Sequence, residues 1–176
     1  MTAQFLDGQI PDVYVQSERF WKHHKQTIKK MFSEGISFTN KVALHIRRGD
    51  YMKTDFYINL ANTDYYEKAV KMFPNEEFLV FCHDRQDAEV DAEDKEWTRK
   101  FLDSLIPGRY EIHKPDTETR DMNKMAGCKH NIMANSSFSW WAAYLNPNPN
   151  KRVVCPENWF TDGVQRCELL NEWIKL

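Results

Sequence analysis

The stretch LHIRRGDY, residues 44–51, sets two arginines behind an apolar run and an aspartate close after them. Arginine's planar fork matches the oxygens of a phosphate or carboxylate better than a lysine ammonium does. Neighbouring side chains of a strand point to opposite faces. One of Arg47 and Arg48 is therefore expected to meet a ligand while the other braces the loop. Asp50 is spaced to pair with one arginine and hold it. The plainer alternative is an exposed pair bound to surface carboxylates and contributing little; on the dipeptide alone that alternative leads. Arg48-Gly49-Asp50 also spells an adhesion tripeptide, a role that demands an exposed, mobile loop in an extracellular protein.

Two further stretches carry chemistry of their own. In NIMANSSFSWWAAYLN an apolar strand runs into Asn135-Ser136-Ser137 and a helix then begins. Free N–H groups at a helix start favour an anion, and two serine hydroxyls add donors. Equally, serine is a favoured N-cap, and Trp140, Trp141, Tyr144 and Leu145 suit a core. The triplet is formally a glycosylation sequon, expected to be buried and unused. At the end of FLVFC, His83 and Asp84 suit a polar ligand or proton transfer, or else a turn capped by Asp84. His23-His24 has no metal-ligating neighbours at useful spacing and reads as solvated. The acidic run at 87–96 reads as a solvated helix face. Walker loops, dinucleotide-binding glycine fingerprints and serine-hydrolase elbows are all lacking.

These residues need elements to position them. The pattern predicts helices over 17–32, 64–73, 92–106, 118–128, 137–145 and 166–175, and strands over 41–46, 78–82, 109–113, 131–134 and 152–155. Strand and helix in alternation imply an α/β fold, a parallel sheet with helices on both faces. In such sheets ligands sit at the carboxyl ends of the strands, which directs attention to 45–51, 82–84 and 135–139.

The whole chain, 176 residues with 41% hydrophobic content and a net charge of −2, is sized for one well-cored domain. That charge gives no global attraction to nucleic acid or anionic membrane, so any anion site must be local. Cys82, Cys128, Cys155 and Cys167 are far apart in sequence and read as free, mostly buried thiols of a reducing compartment. Neither a signal peptide nor a membrane-span-length apolar run is present in the sequence, so a soluble, cytoplasmic protein is expected.

Taken together, HIRRGDY, an FxxD strand end and D-x6-C-x-H-x4-NSSFSWWAAYLN resemble the α-1,2-fucosyltransferases of glycosyltransferase family 11. The upstream VYVQSERFW resembles the segment before their donor domain, and the resemblance runs from Val13 to Phe160. It implies the Rossmann-like, donor-binding half of a GT-B glycosyltransferase, with residues 1–40 an N-terminal linker and helix and 41–176 the GDP-fucose-binding domain. Implied too is transfer of L-fucose from GDP-β-L-fucose to a sugar hydroxyl of a glycan acceptor, α-1,2 to galactose. That transfer would invert the anomeric centre and use no cofactor and no metal. A nucleotide-sugar-binding domain without turnover is the alternative.

Carried over by position, Arg47 would be the β-phosphate ligand that stabilises the leaving group. His45 and Asp121 would contact the guanine base and its sugar side. Ser136 and Ser137 would reach the phosphates from the helix start, with Asn135 shaping the loop. Arg48 and Asp50 would organise the motif, and Asp84 matches the family's strand-end aspartate, although FCHD stands where FSDD is usual. No catalytic base is singled out; Asp55 and His83 are the side chains considered. A Gly-rich GGLGNQ opening and the half it heads are not found in this sequence, so a homo-oligomer or an acceptor-domain partner enters the expectations.

Overall fold

The computed structural model describes residues 16–32, 34–83 and 88–176. Six strands form one sheet: β1 (Thr39–His45), β2 (Phe78–Phe81), β3 (Tyr110–Ile112), β4 (Cys128–Ile132), β5 (Val153–Cys155) and β6 (Ile174–Lys175). Every pairing is parallel, and the strand order is β3-β2-β1-β4-β5-β6. The helices are α1 (Lys25–Met31), α2 (Tyr65–Lys71), α3 (Ala88–Leu105), α4 (Glu118–Ala126) and α5 (Ser137–Leu145). This is a Rossmann-like sheet, and its order reverses direction between β1 and β4.

Side-chain alternation along the central strands builds two cores. Val42, Leu44 and Ile46 pack with Phe78 and Val80 against Tyr66, Ala69 and Val70 of α2 and Leu102 of α3. Ala43, Leu79 and Phe81 face the other way, against Met125 of α4 and Ala142 of α5. A strand buried on both faces reads as a continuous apolar run, as VALHI and FLVF do. On the α5 side an aromatic cluster extends the second core, with Trp140 and Tyr144 stacked at 5.2 Å. Trp21 closes that cluster by donating from Nε1 to Tyr144 Oη at 3.0 Å and stacking on Trp141 at 4.9 Å.

Three expectations need correction. The helix over 17–32 begins as two 3-10 turns, Glu18–Phe20 and Lys22–His24, before α1 forms. Glu168 explains the first turn, because its Oε2 accepts from both the Ser17 hydroxyl and the Glu18 N–H at 2.7 Å. The helix over 118–128 stops at Ala126, and β4 starts directly afterwards. A Cβ at Gly127 would lie 2.1 Å from the Ser37 carbonyl oxygen, so the chain crosses there at a distance only glycine permits.

The helix over 166–175 does not form. Those backbone groups have tertiary partners instead: the Glu168 carbonyl accepts from Trp140 Nε1 at 2.6 Å, and the Glu168 N–H donates to the Gln16 carbonyl at 2.7 Å. Ile174 and Lys175 add an edge strand to β5. Cys82, Cys128, Cys155 and Cys167 are free thiols, the first three of them buried. Among the described residues no helix is long and apolar enough to cross a membrane.

Candidate active site

β1 explains the paired arginines. Its even-numbered residues face α2 and α3 and its odd-numbered ones face α4 and α5, and the same alternation carries past the strand end. Arg48 follows Ile46 to the α3 side. Its Nε donates to Asp94 Oδ1 at 2.9 Å, and its guanidinium lies 4.3 Å from the Trp97 ring centre. The second oxygen, Asp94 Oδ2, accepts the Gly49 N–H at 2.8 Å. Asp94 is only 5% exposed, so this is a buried clamp on the loop. Gly49, buried and at φ +35°, takes a turn that a side chain would strain. The Arg48-Gly49-Asp50 tripeptide is thus fastened into the fold and is not the exposed, mobile loop that adhesion requires.

Arg47 follows His45 to the other side. Its Nη2 donates to Asp50 Oδ1 at 2.6 Å, and its guanidinium lies 5.3 Å from the Tyr51 ring centre. The Tyr51 hydroxyl donates to the Asn135 carbonyl at 3.1 Å, which ties the loop after β1 to the loop after β4. These two loops flank the point where the strand order reverses, the place where open α/β sheets bind ligands.

Two buried polar atoms at this crevice have no partner among the described residues. One is Nδ1 of His45, a residue 8% exposed whose ring packs against Phe138. Burial, and secondly the nearby Arg47 charge, push its pKa down to about 3, so the imidazole is neutral. The other is Oδ1 of Asn135, whose Nδ2 donates to the Ile58 and Trp159 carbonyls at 2.8 and 3.1 Å. Next to it, Ser136 is the N-cap of α5 but makes no side-chain cap bond, and Ser137 opens the helix half-buried. Ser139 Oγ turns inward to the Ala134 and Ser136 carbonyls. The first turn of α5 therefore keeps the electrostatics of an anion site.

A second polar group occupies the exits of β2 and β3. Asp121 is 5% exposed, and its Oδ1 accepts from His113 Nε2 at 2.7 Å and from the Asp116 N–H at 3.1 Å. The His113 ring lies 4.7 Å from Phe81, whose Cα pairs in register with His45, so Asp121 belongs to the same side of the sheet as His45 and Arg47. His83 sits behind this group, with Nδ1 3.1 Å from Asp91 Oδ1 and Nε2 on the His113 carbonyl. Both ring nitrogens are thus engaged by neighbouring oxygens. Burial raises the pKa of Asp91, but hydrogen bonds from Lys95 and His83 outweigh it and hold the carboxyl below its ordinary value. Asp55 is exposed, with its carbonyl accepting from Thr161 Oγ1 at 2.5 Å. Asp84 lies outside the described residues.

The acidic run at 87–96 was the site's hidden contributor. Asp91 and Asp94 turn inward from it. Their signal is the helical spacing itself: 91, 94, 98 and 102 share one face of α3, and Asp94, Thr98 and Leu102 are all buried. His113 gave no comparable signal, since the residue after a short strand has no fixed facing.

The chain is similar to known proteins along most of its length. The family model described as Glycosyl transferase family 11 matches residues 9–176. The O-antigen biosynthesis glycosyltransferase WbnK of Escherichia coli is 33% identical over 84% of this chain and 47% of its own length. An Escherichia coli alpha-1,2-colitosyltransferase is 30% identical over 82% of this chain and 54% of its own. Galactoside alpha-(1,2)-fucosyltransferase 1 of Saimiri sciureus is 30% identical over 59% of this chain and 28% of its own. The chain thus spans about half the length of the two bacterial relatives. No solved structure matches it. With the family model covering nearly every residue, and the crevice lying where a Rossmann-like sheet binds its ligands, the chain belongs to glycosyl transferase family 11.

Proposed function

We propose that the crevice between β1 and β4 binds GDP-β-L-fucose and that the protein transfers its fucose, with inversion and without a metal, to a galactoside hydroxyl in α-1,2 linkage. The observation that carries this reading is the convergence of Arg47 and the uncapped start of α5 on the two loops tied by the Tyr51–Asn135 bond. In the transfer the bond from the sugar's C1 to the phosphate oxygen breaks, an oxocarbenium-like centre develops, and negative charge collects on GDP. A guanidinium and helix amides already in place stabilise that charge without reorganising. The acceptor oxygen bonds to C1 from the opposite side and gives its proton to a base. Of the two side chains considered for that role, His83 is engaged at both nitrogens, whereas Asp55 is exposed. His45 and Asp121 take the guanine and its sugar, with Asn135, Ser136 and Ser137 completing the phosphate loop.

The alpha-1,2-colitosyltransferase among the relatives is named for the same linkage, which supports the α-1,2 assignment while adding colitose as a second candidate for the transferred sugar. The second reading is a nucleotide-sugar-binding domain of the same fold without turnover. Calorimetry with GDP tests the shared part. Arg47→Ala is expected to weaken GDP binding by about a hundredfold, the loss typical of one preorganised charged contact. Unchanged GDP affinity in that variant refutes the site. GDP release from GDP-fucose with a β-galactoside then separates enzyme from binding domain.

A further inference from the structure

His113 makes its side-chain hydrogen bond to Asp121, and the geometry gives that bond a purpose. Two donors, His113 Nε2 and the Asp116 N–H, converge on the single oxygen Oδ1 of Asp121. A lone donor leaves a carboxylate free to rock about its own bond, whereas two donors from different directions fix its position and its plane. His113 is itself held at three points. Its N–H donates to the Val80 carbonyl at 2.8 Å, its carbonyl receives His83 Nε2, and its ring rests against Phe81. His83 is anchored in turn on Asp91, and Asp91 on Lys95, so the support runs back into α3. With side chains 15%, 6% and 7% exposed, His113, Asp121 and His83 form this assembly largely out of water, where a misaligned carboxylate is not rescued by solvent.

We propose that His113 is a positioning residue that sets the Asp121 carboxylate to read the N–H edge of the donor's purine, and thereby sets the preference for guanine. The proposal rests on the reading of the crevice as a GDP-sugar site. Guanine offers two adjacent donors, N1–H and the 2-amino group, to a carboxylate lying in its plane. Hypoxanthine offers N1–H alone, so the comparison of GDP with IDP isolates the second contact. A carboxylate free to swing can follow one donor of either base, but discriminating between the bases requires a fixed plane. His113 touches neither base nor phosphate in this scheme; it acts through Asp121.

Calorimetry of GDP and IDP on the intact chain tests the idea, with melting temperature recorded for each variant. Wild type is expected to favour GDP about tenfold or more, as a site built to bond both donors should. His113→Ala is expected to bring that ratio within about threefold, mainly by weakening GDP. His113→Gln, whose amide nitrogen can stand near the place of Nε2, is expected to restore most of it. If His113→Ala does not fold, His113→Asn, too short to reach Asp121, carries the same comparison. A ratio that survives His113→Ala or His113→Asn but collapses in Asp121→Ala overturns the role of His113 and leaves the donor reading standing. Equal binding of GDP and IDP by wild type overturns the role of His113 and leaves the donor reading standing, whereas binding of neither overturns both. A fall in melting temperature with the ratio unchanged identifies a merely structural histidine and also refutes the proposal.

Discussion

The clamp of Asp94 on Arg48 and Gly49 should dominate the stability of the loop that carries Arg47. Asp94→Ala removes an acceptor from a guanidinium whose side chain is only 15% exposed and from a buried main-chain N–H. Breaking one side of a buried ion pair costs about 3–5 kcal/mol, and an orphaned N–H about 1–3 kcal/mol. Two effects reduce the sum: the two penalties arise from one lost carboxylate and overlap, and Arg48 has some access to water. A net loss of roughly 3–4 kcal/mol follows, or about 6–16 °C in melting temperature for a domain of this size. Replacing both partners, Arg48→Met with Asp94→Leu, should recover much of the loss, because no buried charge is then left alone. Denaturant unfolding of the four proteins gives the coupling energy, expected at about 1.5–3 kcal/mol. Hydrogen exchange at the Gly49 amide should accelerate in Asp94→Ala more than exchange in β2. A melting shift under about 2 °C, or a coupling below about 0.5 kcal/mol, would refute the clamp.

Acid should act through His45. Its folded pKa, about 3, lies below the ordinary 6.5, so the unfolded chain takes up the proton first as pH falls. The stability that goes with the neutral ring is complete above pH 6.5 and lost between there and pH 3, with a slope of up to about 1.4 kcal/mol per pH unit. Urea unfolding at pH 7, 5.5 and 4.5 should therefore give a shallower pH dependence for His45→Gln than for wild type, and parallel curves would count against it. Gly127→Ala forces a Cβ onto the Ser37 carbonyl and should cost about 1–3 kcal/mol or more, seen as a lower urea midpoint; an unchanged midpoint would mean the crossing is not tight.

Much of the fold was legible because its determinants are local. SFSWWAAYL reads as a helix and is one, with the boundaries expected, since an apolar run after two serines carries both its core face and its start signal. FLVF reads as a strand covered on both faces and VALH as a short, mostly apolar one, and both form. The segment at 166–175 has an equally helical pattern, yet it spends its backbone on Trp140 and Gln16, partners more than twenty residues away that no local window contains. Within the site, alternation along β1 anticipates that Arg47 and Arg48 part company. It does not say what Arg48 meets. Asp94 was hidden among charged neighbours because a run of carboxylates looks solvated wherever one of them turns inward. The Asp121–His113 pair was half visible: the aspartate came with the family resemblance, but its histidine is brought in by the β3 exit, a matter of tertiary geometry alone.

The opposite facing of successive residues in HIRRGD has a genetic consequence. Variation on the α3 side, at Arg48, Asp94 and Trp97, should register as abundance and heat tolerance. Variation on the α5 side, at His45, Arg47 and Ser137, should register as ligand choice at nearly constant abundance. Residues that share no partner combine almost additively, so a mutational library of residues 45–48 should separate into two weakly epistatic sets, His45 with Arg47 and Ile46 with Arg48, while Asp50 couples to Arg47 and Gly49 to Asp94. Donor preference can then drift on one face while fold maintenance stays with the other, and a single inserted residue, which exchanges the faces, should be lethal to both.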